Sequence, residues 1–191
     1  MALVGGGTLG VLCLCVRDIK ILIAYSSVVH IALIIFNLKI IFPLRLAGSM
    51  MVILAHGVCS SGLFATANMI YERSHSRAFV LNKGLGEKSP LLLGIFFFLI
   101  GANFGGPFTF NLLGEVSLIV RLRLVNLGAL IRIVLLSFFS AAYRLLLFRS
   151  VTQGEGVSAS TRSPKLSRRD IFMVRGHVWP LAVLRAAPTF F

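Results

Sequence analysis

The chain has 191 residues, 57% of them hydrophobic, with a mean hydropathy of +0.92. Charged residues make up 13%, about half the share of an ordinary soluble domain, and they are lopsided: 19 Lys and Arg against 6 Asp and Glu, for a net charge of +13. Such a chain has too little polar surface for a soluble globule and is too apolar to stay disordered, and a nucleic-acid-binding module would account for the charge alone. A membrane protein accounts for both, with basic residues in loops and apolar ones facing lipid or other helices.

In chain order, the first apolar run covers residues 2–16 and stops at Arg17-Asp18. Its first base follows the run rather than preceding it, which does not fit a signal peptide, so it reads as the start of a membrane helix. The second run covers 21–42 and stops at Pro43; the third covers 46–70 and stops at Tyr71-Glu72-Arg73. The fourth, 90–120, is broken by Asn103-Phe104-Gly105-Gly106-Pro107, which cannot be a regular helix interior. The fifth covers 124–148, a polar basic stretch follows over 149–170, and a short, weak span closes the chain from 171. Barrel strands alternate apolar and polar in roughly ten-residue pieces, whereas these runs are continuous and about twice as long. The predicted fold is therefore all-α: a polytopic membrane bundle of about six helices, one of them broken. Residues 1–148 form the main helices, 149–170 a linker and 171–191 a C-terminal membrane helix. Cys13, Cys15 and Cys59 lack metal-ligand spacing, so no metal site is predicted.

Successive loops alternate sides. One side receives Arg17, Lys20, Arg73, Arg77, Lys83, Lys88, Arg149, Arg162, Lys165, Arg168 and Arg169; the other receives Lys39, Arg45, Arg121, Arg123 and Arg185. The basic excess marks the first side as matrix or cytoplasmic, with both termini opposite.

Ionisable groups at membrane depth are costly and mark function. His30 lies near the middle of the second span, His56 near the middle of the third, and Glu115 in the fourth, beyond the break. All three can carry protons, and a helix break beside them frees backbone groups that favour a hydrated cavity. Tyr25, Ser26, Ser27, Ser60 and Ser61 are read either as holders of relay water or as small polar packing residues. Asp18 and Lys20 start the second span, as a salt-bridged helix end or as a proton gate. Arg132 and Arg144 fall inside the fifth span; they snorkel, pair with Glu115 or meet a partner subunit. Because Arg does not deprotonate, they read as structural or interfacial.

Four stretches carry a resemblance. They are the run from Asp18 to His30, Ala55-His56-Gly57 followed by Ser60-Ser61-Gly62-Leu63-Phe64, Tyr71-Glu72-Arg73-Ser74-His75-Ser76-Arg77, and Asn111-Leu112-Leu113-Gly114-Glu115. In this order and spacing they resemble the antiporter-like proton-pumping subunits of respiratory NADH–ubiquinone oxidoreductase (complex I), of the subunit 4 kind. The likeness covers Arg17 to Phe148 and is faint beyond Arg149.

The resemblance implies the C-terminal part of such a subunit, in the mitochondrial inner membrane, contributing part of a proton channel coupled to electron transfer from NADH to ubiquinone. It carries a relay role to His30, His56 and Glu115, and Lys20 joins them as a candidate relay residue through its reading as a proton gate. It places Asp18, Glu72, Arg73, His75 and Arg77 in the matrix-side loops. It implies catalysis only as a subunit of the complex, with no cofactor on this chain and NADH, FMN, iron–sulfur clusters and ubiquinone on other subunits. Implied partners are other membrane-arm subunits, a separate chain supplying the missing N-terminal half, and anionic lipid such as cardiolipin, with no nucleic acid. Arg121, Arg123, Arg132 and Arg144 fall where the family tends to be apolar or weakly polar. Half of a cation/proton antiporter, or a structural fragment with vestigial relay residues, are the alternative readings.

Overall fold

A computed structural model describes residues 2–38, 43–84, 89–106, 109–122, 127–154 and 166–186. Among them are seven α-helices and no strand: α1 (Ala2–Cys15), α2 (Ile19–Leu38), α3 (Pro43–Ser74), α4 (Pro90–Asn103), α5 (Phe110–Leu122), α6 (Leu127–Thr152) and α7 (Arg168–Ala186). Stretches within α2 (19–36), α3 (48–74) and α6 (127–152) are long and apolar enough to cross a membrane, and α1 and α4 are shorter apolar helices. α7 has Asp170 in its first turn and Pro180 inside it, and is not among them.

The apolar runs of the sequence become these helices, with shifted ends. Pro43 begins α3 rather than merely closing the second span, because its ring presets the helical φ and its missing N–H is not needed at a first turn. The last positions of the second span, 39–42, lie outside the described residues. α6 continues to Thr152, past the expected start of the linker, and residues 155–165 of that linker are outside the description as well.

The break in the fourth run is a designed stop and restart. α4 ends at Asn103, Gly105 takes φ 73°, and the Gly106 N–H closes back onto the Gly101 carbonyl at 2.8 Å in a Schellman-type cap. α5 restarts behind Thr109, whose hydroxyl accepts from the Leu112 N–H at 3.4 Å, the reach of an N-cap residue.

α3 is the central helix, packed against α2, α4, α5 and α7, while α1 lies against α2 and α6. Lipid tails are as apolar as leucine, so helices in a membrane associate through close packing rather than burial from water. Gly114 shows this: a Cβ there would sit 2.5 Å from Val52 Cγ2 and 3.1 Å from the Gly48 carbonyl, so only glycine lets α5 approach α3 this closely. Large apolar side chains such as Phe97, Phe138 and Ile131 point outward, as a lipid-facing surface requires.

The described parts of the loops assigned to the basic side gather at one pole, while Lys88, Arg162 and Lys165 lie outside the described residues. Asp18 and Ala78 form an isolated β-bridge, with the Ile19 N–H on the Arg77 carbonyl at 3.0 Å and the Phe79 N–H on the Arg17 carbonyl at 3.1 Å. At the same pole Arg73 Nη2 meets Asp170 Oδ2 at 3.0 Å, tying the end of α3 to the start of α7.

Candidate functional site

Four helices each send one ionisable side chain to a common point. His30 comes from α2, His56 from α3, Glu115 from α5 and Arg144 from α6. The imidazole rings of His30 and His56 have centroids 4.7 Å apart, and His30 Nδ1 lies 3.7 Å from Glu115 Oε1. The guanidinium of Arg144 touches His30 Nε2 through Nη2. His30 and Arg144 are each 3% exposed and His56 is 6% exposed, so the cluster is inside the bundle.

The helix break serves this cluster directly. Asn103, the last residue of α4, accepts from His56 Nδ1 through its Oδ1 at 2.9 Å and fixes the ring. Asn111, in the first turn of α5, donates its amide to the Ala102 carbonyl at 3.0 Å and so satisfies a carbonyl that the stopped helix leaves free. Gly105 faces the Glu115 carboxylate: a Cβ there would come within 3.2 Å of Oε2. Five polar atoms here are buried without a partner: His56 Nε2, Asn103 Nδ2, Asn111 Oδ1, and Nε and Nη1 of Arg144. A cavity of about 610 Å³ opens between α4 and α6, walled by Gly94, Phe98, Gly101, Phe104 and Phe148, with Arg144 at its side.

His30, His56 and Glu115 are thus brought together, whereas Lys20 is not. It stands ten residues before His30 on α2, about 15 Å along the axis at 1.5 Å per residue, in the polar group at the pole. There its Nζ donates to Asn68 Oδ1 at 3.1 Å and lies 5.1 Å from the Tyr71 ring centroid, while Asn68 donates to Glu72 at 3.0 Å. The expected relay serines turn to their own helices: Ser26 and Ser27 donate to the Ile23 carbonyl, Ser60 to Gly57 and Ser61 to Val58. Ser26 is buried, and Tyr25 is 37% exposed.

The remaining loop residues all lie at the pole. Arg77 stacks over the Tyr71 ring at 5.5 Å, and His75 holds a left-handed backbone, φ 52°, as α3 ends. Asp18 Oδ1 accepts from the Ile21 N–H at 3.2 Å, as a helix-start residue does. Partial burial works to raise the Asp170 carboxyl, but the Ser167 backbone N–H and the Arg73 guanidinium outweigh it and hold it below its ordinary 3.8.

Arg144, Asn103 and Asn111 belong to the cluster, and reading the residues singly did not assign them there. For the asparagines a signal existed, since a broken helix frees carbonyls and amides are their natural partners. Arg144 lies 114 residues from His30, and nothing local in the sequence shows which face of α6 turns inward.

Residues 2–140 match the transmembrane family described as NADH:quinone oxidoreductase/Mrp antiporter. The chain is 40% identical to NADH-ubiquinone oxidoreductase chain 4 of Anopheles arabiensis, over 96% of this chain and 83% of that one. It is 39% identical to the protein of the same name from Aedes aegypti, over 96% of this chain but 41% of that one. Among solved structures, it superposes with a TM-score of 0.85 on a chain of respiratory complex I from Thermus thermophilus, at 22% identity, covering all of this chain and 40% of that one. A chain of the Mrp complex from a Dietzia species gives 0.74 at 20% identity over 87% of this chain. The present chain therefore spans about two fifths of the Aedes and Thermus chains and most of the Anopheles relative. By the extent of the family match and the identity to its relatives, the chain belongs to the NADH:quinone oxidoreductase/Mrp antiporter transmembrane family.

Proposed function

We propose that this chain is part of the membrane arm of a mitochondrial NADH–ubiquinone oxidoreductase and carries one stretch of a proton path through it. The observation that supports this most is the meeting of His30, His56 and Glu115, from three separate helices, beside a break that bares backbone polar groups. A carboxylate 3.7 Å from one imidazole, itself stacked near a second, is a set of sites between which a proton can pass with little movement or through one water. Redox chemistry takes place elsewhere: NADH, FMN, iron–sulfur clusters and ubiquinone belong to other subunits, and this chain takes part in the reaction by coupling. A change of charge on a neighbouring subunit biases the protonation of the histidines, and Glu115 passes the proton on.

The proposed place is the mitochondrial inner membrane, and the relatives' name, NADH-ubiquinone oxidoreductase chain 4, together with the likeness to a chain of respiratory complex I, supports neighbours in a multi-subunit complex. The helices of the fold that this chain does not span are expected against its open face. Intact mass spectrometry of the purified complex tells whether a second polypeptide supplies them. Anionic lipid such as cardiolipin, or a neighbouring subunit, is the proposed partner for Arg121, Arg123 and Arg132. The test is substitution of His30, His56 and Glu115, one at a time, with proton pumping and assembly measured together. Pumping is expected to fall in assembled complexes; three assembled variants that pump normally would reduce the chain to a structural role. Sodium-coupled transport without NADH-linked activity would instead place it among the antiporters.

A further inference from the structure

One member of the cluster cannot carry a proton. The guanidinium of Arg144 has hydrogen-bond donors only and does not deprotonate in a protein. With a donor-only group lying against His30 Nε2, that nitrogen is left as the acceptor, which fits a ring that carries its single proton on Nδ1. Nδ1 is the nitrogen that faces Glu115. In this arrangement the His30 ring is directed at the carboxylate on one side and closed by a cation on the other.

For a proton to cross this ring, one must bind at Nε2 while the proton on Nδ1 leaves for Glu115. The ring then ends neutral with its proton on Nε2, and the carboxylate ends protonated. His56 is the neighbouring ring, its centroid 4.7 Å from that of His30: its Nδ1 donates to Asn103, and its Nε2 is buried without a hydrogen-bond partner. While Arg144 occupies Nε2 of His30, no proton can land there.

We infer that Arg144 is a gate on His30, a positioning residue that closes the relay in the present arrangement and opens it by leaving Nε2. This rests on the relay proposed above. Two observations give the guanidinium somewhere to go. Its Nε and Nη1 are buried without hydrogen-bond partners, and apart from His30 it meets the Tyr143 ring, 5.5 Å from the centroid, a contact that holds it less tightly than a second hydrogen bond would. It also borders the 610 Å³ cavity between α4 and α6, which is lined mainly by Phe and Gly with Thr109 beside it, so the side chain can turn into it only together with water. The titratable or charged groups facing His30 are Arg144 from α6, His56 from α3 and Glu115 from α5, so a charge arriving on His56 or leaving Glu115 acts on the gate directly.

The experiment compares Arg144→Ser, Arg144→Gln and Arg144→Lys in the intact complex, reconstituted in vesicles. Passive proton leak is read without NADH, and protons pumped per NADH are read with it. The gate predicts a several-fold higher leak and a lower pumping ratio for Ser and Gln, a smaller rise in leak for Lys, whose buried amine unlike a guanidinium can release its proton, and suppression of the extra leak when His30→Asn is added. Unchanged leak in assembled Ser and Gln variants overturns the gate. A leak that survives His30→Asn also overturns it, since that leak would be water through a loosened bundle. Failure of both Ser and Gln variants to assemble assigns Arg144 a structural role and overturns it too. His30→Asn alone separates the two claims: normal pumping there sinks the relay itself, whereas lost pumping there with unchanged leak at position 144 sinks the gate only.

Discussion

The pole and the mid-bundle cluster are both built from histidine, arginine, asparagine and carboxylates, yet they close their hydrogen bonds differently. At the pole Lys20 donates to Asn68, Asn68 to Glu72 and Arg73 to Asp170, and among its described residues only Arg73 Nε is buried without a hydrogen-bond partner. In the cluster five buried polar atoms on His56, Asn103, Asn111 and Arg144 are left open. Membrane proteins are strongly driven to satisfy buried polar groups, because each one left open costs free energy that water cannot relieve. Several open groups in one place fit the relay proposed above, in which water or a moving proton would supply the missing partners. The pole fixes the loops; the cluster stays able to change.

Substitutions can break this contrast in a graded way. The largest expected effect is at Gly114, where the cluster's carboxylate-bearing helix rests on α3. Gly114→Val forces side-chain atoms against Val52 and the Gly48 backbone, which cannot yield as a flexible side chain would. A loss of about 1–3 kcal/mol is expected, read as lower yield and lower melting temperature of the complex. Wild-type stability in this variant would mean that α5 does not need its close approach.

Asn103→Leu comes next. It removes the acceptor for His56 Nδ1 and strands a buried imidazole N–H, at a cost of about 1–3 kcal/mol. Because His56 then turns freely, pumping is expected to fall more than stability does; an equal pumping ratio would show that the orientation of His56 is unimportant. Lys20→Met should have a smaller effect on pumping than either histidine substitution, since Lys20 belongs to the pole. A loss as large as that of His56→Asn would extend the relay to the pole.

The smallest effect is expected at Asp170. Its carboxyl is held below its ordinary 3.8, so the folded state favours the ionised form more than the unfolded state does. That contribution is fully present above 3.8 and fades as the pH falls through the lower folded value. Asp170→Asn should therefore cost about 1 kcal/mol at neutral pH, and less in strong acid. A deficit that does not shrink in acid would mean that the Arg73 pair is not what Asp170 contributes.

Much of the fold is legible in the residues, because long apolar runs separated by bases leave a membrane chain few options. The stop at Asn103 to Gly106 was readable for the same reason: Gly and Pro at that spacing cannot continue a helix. What the runs do not encode is rotation. Tyr25 and Ser26 are neighbours, yet one is exposed and the other buried, and α2 is apolar on every face. Apolar periodicity therefore says little about which polar residue turns inward. His30 and His56 stood out because they are titratable and few. Arg144 was visible at membrane depth, but its place among the histidines depends on how α6 packs beside α2, which is set by contacts over a hundred residues apart.

The proton path is tested most directly at Glu115. Replacing it by glutamine keeps the shape and much of the hydrogen bonding while removing the proton-carrying group. In reconstituted complex, the number of protons moved per NADH oxidised by Glu115→Gln should fall well below that of the wild type, with the same subunits assembled. An unchanged ratio in an assembled complex would contradict the account.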